Sequence, residues 1–158
     1  MTIEQSKKQR KIPYRKPESI KELEKAYFEY ECNKYPNFPN YARVTPIFRD
    51  DNANGLTKCI VKWLEMNGYF AGRVNTTGTY SQKLKKYIHS GSKRGMADVT
   101  AVINGRHVSI EVKVGKDKLR EAQINVKREI EQAGGIYIVA SSFDNFLKQI
   151  TKMEFLNS

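Results

Sequence analysis

The stretch ADVTAVINGRHVSIEVK, residues 97–113, decides the fold of this chain. Two runs rich in Val and Ile flank Asn104-Gly105, the dipeptide most typical of a two-residue β-hairpin turn. Such a turn fixes the register and sets Ile103 opposite Arg106. The facing pairs on the apolar side, which we expect to be the core side, are Ala97 with Val112, Val99 with Ile110, and Ala101 with Val108.

The other side of this hairpin carries charged residues. The same register places Asp98 opposite Glu111, with Lys113 two residues further along the strand. Facing Cβ atoms in an antiparallel pair lie about 4.5–5.5 Å apart, so the two carboxylates should repel one another. A divalent cation relieves that repulsion, and carboxylate oxygens suit a hard ion such as Mg²⁺. A metal, an activated water and a lysine are the groups that phosphodiester hydrolysis requires.

The rest of the chain predicts alternating helices and strands. A capping box, Ser19-x-x-Glu22, predicts a helix that ends near Asn33. Residues 75–95 are rich in Thr, Ser, Gly and Lys and predict a loop, with a short helix as one interpretation of residues 81–87. The other predicted elements are helices over 56–67, 117–133 and 143–150, and strands over 69–74 and 136–140. This order predicts an α/β sandwich with a mixed sheet.

The charge of the chain favours an anionic partner. Its 158 residues include 28 Lys and Arg against 17 Asp and Glu, which gives a net charge of +11. A well-solvated surface is the alternative explanation, but basic residues interleaved with Tyr80 and Tyr87 suit phosphate and base contacts. The lysines and the arginine of this middle segment are Lys83, Lys85, Lys86, Lys93 and Arg94.

Several other classes of site are poorly supported. The sequence holds two Cys and two His residues, with no CxxC pair, so a structural zinc site and a His-based catalytic triad are not expected. We treat His89 and His107 as non-catalytic. No apolar stretch reaches 18 residues, and the opening MTIEQSKKQRK lacks the apolar core of a signal peptide. We therefore expect a cytoplasmic protein of a bacterial or phage type, with no membrane partner.

Two motifs carry a resemblance to a known superfamily. Gly95-Met-Ala-Asp98, followed by Ile110-Glu-Val-Lys113, resembles the PD-(D/E)XK phosphodiesterases. It is most similar to their VRR-NUC and Holliday-junction-resolvase-like branches, in which a glutamine follows on the next helix and a Gly-Gly turn leads into a buried strand. Gln123 and Gly134-Gly135 occupy those places, and the similarity covers roughly residues 54–150.

The resemblance implies a restriction-endonuclease-like α/β/α core with a mixed central sheet. Composition predicts a flexible basic arm (1–18) and the helix and proline pattern predicts a helical extension and connection (19–53), while the resemblance implies a nuclease domain (54–158). It also implies that Asp98, Glu111 and the carbonyl of Val112 ligate Mg²⁺ or Mn²⁺, and that Lys113 positions the attacking water. Gln123 would support the site, although a plain solvated glutamine is the alternative.

One departure from the family pattern concerns a further metal ligand. These families often carry a glutamate at the start of the first core helix, whereas this chain has Asp51 and Asn54 there. Either one substitutes, or that ligand is missing, which leaves a second metal open. Gly91 and Gly95 were expected to admit phosphate, with an ordinary flexible loop as the alternative.

The function implied is a metal-dependent DNA endonuclease that leaves a 5′-phosphate and a 3′-hydroxyl. The resolvase-like branches suggest duplex or branched DNA, contacted through phosphates rather than bases. Symmetric cleavage of a four-way junction would need a homodimer. A sequence-specific restriction-type enzyme and a non-catalytic DNA-binding module on the same fold are the alternatives. Besides the middle segment, the residues expected to contact the DNA backbone are Lys116, Lys118 and Lys127.

Overall fold

The computed structural model describes residues 13–44, 46–75, 78–88 and 91–154. Most of the predicted basic arm, residues 1–12, lies outside this part of the chain. The helices are α1 (Glu18–Lys34), α2 (Ala53–Met66), α3 (Glu121–Gln132) and α4 (Phe143–Glu154), with a short 3-10 turn at Asn40–Ala42. The strands are β1 (Phe70–Arg73), β2 (Thr79–Ser81), β3 (Lys86–Ile88), β4 (Val99–Ile103), β5 (Arg106–Val112) and β6 (Ile136–Ala140).

Four of these strands form a mixed sheet in the order β1-β4-β5-β6. The β4–β5 hairpin has the register that Asn104-Gly105 predicts, with Val99 opposite Ile110 and Ile103 opposite Arg106. Strand β1 pairs with β4 antiparallel, and β6 pairs with β5 parallel. The coarse prediction of an α/β fold with a mixed sheet is confirmed.

The two faces of the sheet differ in chemistry. The apolar face packs against α1, α2 and α4, so that Ile20, Leu56 and Phe146 share one core with Val99 and Ile110. The N-terminal helix therefore belongs to the same core as the sheet. On the polar face lies α3, where Val126 is buried. Among the described residues, none of the helices is long and apolar enough to cross a membrane.

Three helix starts differ from the prediction. The Ser19 box does not cap α1, which begins at Glu18 after Pro17, and the Ser19 hydroxyl is buried without a hydrogen-bond partner among the described residues. Helix α2 begins three residues early because the side chain of Asn52 accepts a hydrogen bond from Gly55 N (2.8 Å). Helix α3 begins only at Glu121.

Residues 79–88 form a β-ribbon, and the alternative of a short helix over 81–87 is wrong. Strands β2 and β3 pair antiparallel as a separate two-stranded sheet, joined by a turn at 82–85. Lys85 has a φ of 49° in that turn, outside the right-handed helical region. The rings of Tyr80 and Tyr87 face each other across the strands with centroids 5.3 Å apart. This aromatic cross-strand pair outweighs the helix propensity of the lysines.

Candidate functional site

Asp98 lies where β4 begins, at the end of the sheet away from the hairpin turn. Continued one residue beyond the pair Val99–Ile110, the register places Asp98 opposite Glu111. The Asp98 backbone carbonyl accepts a hydrogen bond from Val74 N (2.8 Å), and its side-chain Oδ2 accepts one from Val112 N (2.9 Å). The first bond holds the backbone of Asp98 and the second holds one oxygen of its carboxylate.

Glu111 is buried on the polar face of β5, with 2% of its surface exposed. Its Oε1 lies 3.1 Å from Nζ of Lys113 and accepts a hydrogen bond from Nε2 of Gln123 at 2.5 Å. Its Oε2 is buried and has no hydrogen-bond partner among the described residues. An unsatisfied buried carboxylate oxygen is costly, so this atom calls for a ligand that the protein does not itself supply.

The pKa of Glu111 also reflects its burial and the neighbouring carboxylate. Burial raises the pKa of Glu111, and the negative charge of Asp98 raises it further, while Lys113 and Gln123 oppose the shift. The two carboxylates are therefore close enough to repel one another, as the hairpin register predicts. A cation between them would remove that repulsion.

Lys113 is also buried, because it follows β5 beneath the connection to α3. Its exposed fraction is 7%, and its Nζ lies 3.4 Å from Oδ2 of Asp117 as well as near Glu111. The ammonium thus sits between two carboxylates of different exposure. Asp117 was predicted only as a helix start, and its contact with Lys113 depends on the turn at Gly115, which the sequence pattern does not reveal.

Gln123 has two contacts that join α3 to the site. Its Oε1 accepts a hydrogen bond from Arg120 N (2.9 Å) at the helix start, while its Nε2 donates to Glu111. Gln123 therefore contacts Glu111, and its supporting role in catalysis stays a prediction. The alternative, a plain solvated glutamine, does not fit these contacts.

Tyr137 is a site residue that the sequence analysis missed. It lies on β6 opposite Ser109, on the polar face that also carries Glu111. Its hydroxyl is buried without a hydrogen-bond partner in the described part of the chain. Burial raises the pKa of Tyr137 above its usual value, and the charges of Glu111 and Asp98 add to the shift. Only the parallel register of β5 and β6 brings this residue to the site.

The two candidates for a further metal ligand at the start of α2 both contact arginines. Asp51 forms an ion pair with Arg49 (2.6 Å), and Oδ1 of Asn54 accepts a hydrogen bond from Arg73 (2.6 Å). Within the described ranges, no three His, Cys, Asp or Glu side chains cluster closely enough to hold a metal ion. The carboxylates that the hairpin register brings face to face at this site are therefore two, Asp98 and Glu111.

The structure requires a glycine at position 95 for a reason other than the expected contact with phosphate. Its φ is +88°, and a Cβ at this position would lie 2.4 Å from the carbonyl oxygen of Ala122 in α3. The glycine therefore lets the segment before Asp98 pack directly on the α3 backbone. Gly91 has a φ of +74°, and a Cβ at this position would meet no atom within 4 Å.

The other predicted residues are distributed around this site. The side chain of Val112 points into the core, and its carbonyl as a metal ligand stays a prediction. Lys93 forms an ion pair with Glu129 of α3, and Lys127 lies 3.9 Å from Glu131. The other basic residues of the predicted set are exposed, namely Lys83, Lys85, Lys86, Arg94, Lys116 and Lys118.

His107 pairs with Val102 of β4, next to the hairpin turn. Nε2 of His107 lies 2.9 Å from Oγ of Ser109, near the hairpin turn. His89 lies outside the described residues. The interpretation of both histidines as non-catalytic stays a prediction.

The chain was compared with protein-family models and with curated proteins. No family model matches it, and no curated protein matches it either. The resemblance to PD-(D/E)XK phosphodiesterases therefore rests on the sequence motifs alone.

Proposed function

We propose that this protein is a metal-dependent DNA endonuclease with a restriction-endonuclease-like core, acting on branched or otherwise structured DNA. The observation that carries the proposal is the pair Asp98 and Glu111. Each carboxylate has one oxygen held by the protein, through Val112 N in one case and through Lys113 and Gln123 in the other. Oε2 of Glu111 has no hydrogen-bond partner among the described residues and is left for an external ligand.

The donor set fits a hard divalent cation such as Mg²⁺ or Mn²⁺. The buried, unsatisfied Oε2 of Glu111 and the carboxylate of Asp98 are the protein ligands proposed, together with the carbonyl of Val112. Bound in this place, the metal would polarise a phosphate oxygen. It would also lower the pKa of a bound water molecule, so that the water loses a proton and becomes a stronger nucleophile. One or two carboxylates with substrate phosphate is the usual environment of Mg²⁺ in proteins.

The chain's own residues supply orientation and charge. Gln123 and Lys113 fix Oε1 of Glu111, so the rotation of that carboxylate is restricted. The ammonium of Lys113, buried beside it, offers positive charge to a phosphate whose negative charge grows during attack. In a low-dielectric position this contribution is larger than at an exposed one.

The surface around the site suits a nucleic acid backbone. Exposed Lys and Arg side chains lie on the ribbon, before Asp98 and between β5 and α3, and the chain has a net charge of +11. Contacts of this kind neutralise phosphates and release counterions without reading sequence. We propose that duplex or branched DNA binds across this face, with a homodimer where both strands of a junction are cut.

The experiment that tests this function is a cleavage panel. The protein is incubated with labelled duplex, single-stranded, flap and four-way-junction DNA, with Mg²⁺, Mn²⁺ or EDTA. Cuts that need the metal and concentrate at a junction support the proposal. Binding of all the DNAs without any cut under either metal would instead indicate a binding module.

A further inference from the structure

The β-ribbon of residues 79–88 has an exposed surface that the proposed chemistry does not use. Its large apolar side chains are 47–72% exposed: Tyr80, Leu84, Tyr87 and Ile88. A two-stranded hairpin has no core of its own, and Tyr80 and Tyr87 stay at least half exposed although their rings contact each other. A group of exposed apolar and aromatic residues on so short an element is typical of a contact surface.

The ribbon is anchored beside the carboxylates. The chain leaves the central sheet after β1, where Val74 N bonds to the carbonyl of Asp98. It returns to the same place, where the Ser92 hydroxyl donates to the carbonyl of Asn75 (3.1 Å). The ribbon therefore extends from the end of the sheet that carries Asp98 and Glu111.

The charge of the ribbon restricts what binds it. Residues 78–88 contain Lys83, Lys85 and Lys86 and no acidic residue, so the segment is uniformly positive. The lysine ammonium groups suit the phosphates of a nucleic acid strand, and the tyrosine rings suit its flat bases. In a duplex the bases are stacked inside, and only their edges reach a protein. Exposed rings gain from bases only where those bases are unpaired.

We infer that the ribbon binds unpaired nucleotides of a DNA strand next to the cleavage site, by base stacking on Tyr80 and Tyr87 and by phosphate contacts from its lysines. The inference rests on the proposed function and deepens it. It makes the substrate a DNA with a single-stranded segment beside the cut, such as a flap, a fork or an open junction, rather than continuous duplex.

The test measures binding separately from cleavage. Fluorescence anisotropy in EDTA compares forked DNA, single-stranded DNA and blunt duplex of equal length, for wild type and for the variant Y80A/Y87A. Loss of one stacked base weakens binding about fivefold or more, so we expect that loss for forked and single-stranded DNA and almost none for duplex. Y87F keeps the ring and should bind as wild type does.

Two controls separate stacking from charge and from folding. Tyr41 is 93% exposed on the 3-10 turn, so Y41A removes a comparable ring elsewhere and should leave all affinities unchanged. K83A/K85A/K86A should flatten the salt dependence by about 0.7 per lost contact to single strands, whereas Y80A/Y87A should keep the wild-type slope.

The possible outcomes distinguish the two proposals. Wild type that binds no DNA contradicts the proposed function. Wild type that binds DNA, with Y80A/Y87A equal to it or weakened equally for duplex and fork, contradicts only the inference about the ribbon. A change of oligomeric state in Y80A/Y87A, measured by light scattering, with DNA binding unchanged, would make the ribbon a protein contact and also overturn it.

Discussion

The ammonium of Lys113 lies 3.1 Å from Oε1 of Glu111, and both side chains are more than nine-tenths buried. Two strand residues on one face, separated by Val112, thus form an ion pair with little access to water. In such a pair, loss of either partner leaves an uncompensated charge in the low-dielectric interior of the protein. Changes to this pair should therefore alter both the free energy of unfolding and the rate of cleavage.

The first prediction concerns the coupling of this pair. In EDTA, Lys113→Met should lower the free energy of unfolding by about 3 kcal/mol, because it leaves Glu111 buried without its cation. The double variant Lys113→Met/Glu111→Gln should lose less stability than the two single variants lose together. The difference, which is the coupling energy of the pair, should be at least about 1 kcal/mol. Urea unfolding of all four proteins measures this, and additive losses would show that the pair is not coupled.

Lys113 should also affect cleavage more than binding. We expect Lys113→Met to slow DNA cleavage by about 10²–10³-fold, the usual effect of removing one electrostatic stabiliser of a reacting group. DNA affinity in EDTA should change little, because the ammonium is buried. A loss confined to affinity would reassign Lys113 to contact with the DNA backbone.

The second prediction separates the two contacts of Gln123. Gln123→Glu keeps an acceptor for Arg120 N but replaces the donor to Glu111 with a like charge. Cleavage should therefore fall strongly while α3 remains folded by circular dichroism. Gln123→Ala should lose the helix contact too and cost about 1–2 kcal/mol of stability. Asn125→Ala, at an exposed position of α3, is the control and should behave as wild type.

The third prediction concerns the packing of the segment before Asp98. Gly95→Ala places a methyl group 2.4 Å from the carbonyl oxygen of Ala122 at a positive φ. It should cost about 3 kcal/mol or more, since strain and overlap act together. Gly91→Ala has the same sign of φ but open space, and should cost about 1 kcal/mol. Equal midpoints in denaturant for the two variants would contradict the close contact with α3.

The fourth prediction concerns the buried thiol of Cys59. Burial raises its pKa to about 12, so at pH 8 this side chain is almost entirely protonated. Because the folded state holds the proton more tightly, the stability it contributes is complete below pH ~9 and falls as the pH rises towards 12. Alkylation at pH 8 should modify the half-buried Cys32 first. Cys59 should react at least about a hundredfold more slowly.

A control and a contrary result define this measurement. Cys32→Ser should show one slow thiol, which reacts quickly once the protein is unfolded in urea. Similar rates for both thiols in native wild type would place Cys59 outside the core.

The sequence predicts the hairpin and its carboxylates because the relevant constraint is local. Asn104-Gly105 fixes which residues face each other over the strands on either side, so Asp98 and Glu111 follow from counting. The position of Gln123 near Glu111 was expected from the resemblance, and the structure adds its second contact with Arg120. That contact requires the late start of α3, which the apolar periodicity of residues 117–133 does not indicate.

Other parts depend on tertiary contacts that no local pattern carries. Tyr137 reaches the polar face only because β6 pairs parallel to β5 with Ser109 opposite it, and parallel partners are set by the whole fold. The ribbon was predicted as a loop because its strands have three residues each, too few for an alternating pattern. The close contact of Gly95 with Ala122 likewise depends on where α3 packs.

The most direct test of the proposed metal-dependent nuclease is cleavage by Asp98→Asn. This variant keeps the shape of the side chain and removes one carboxylate from the pair with Glu111. The control is Asp144→Asn, which removes an exposed carboxylate at the start of α4. With a forked DNA and Mn²⁺, wild type and Asp144→Asn should cut, whereas Asp98→Asn should bind at least as tightly in EDTA and leave the DNA uncut. Undiminished cleavage by Asp98→Asn would contradict the account.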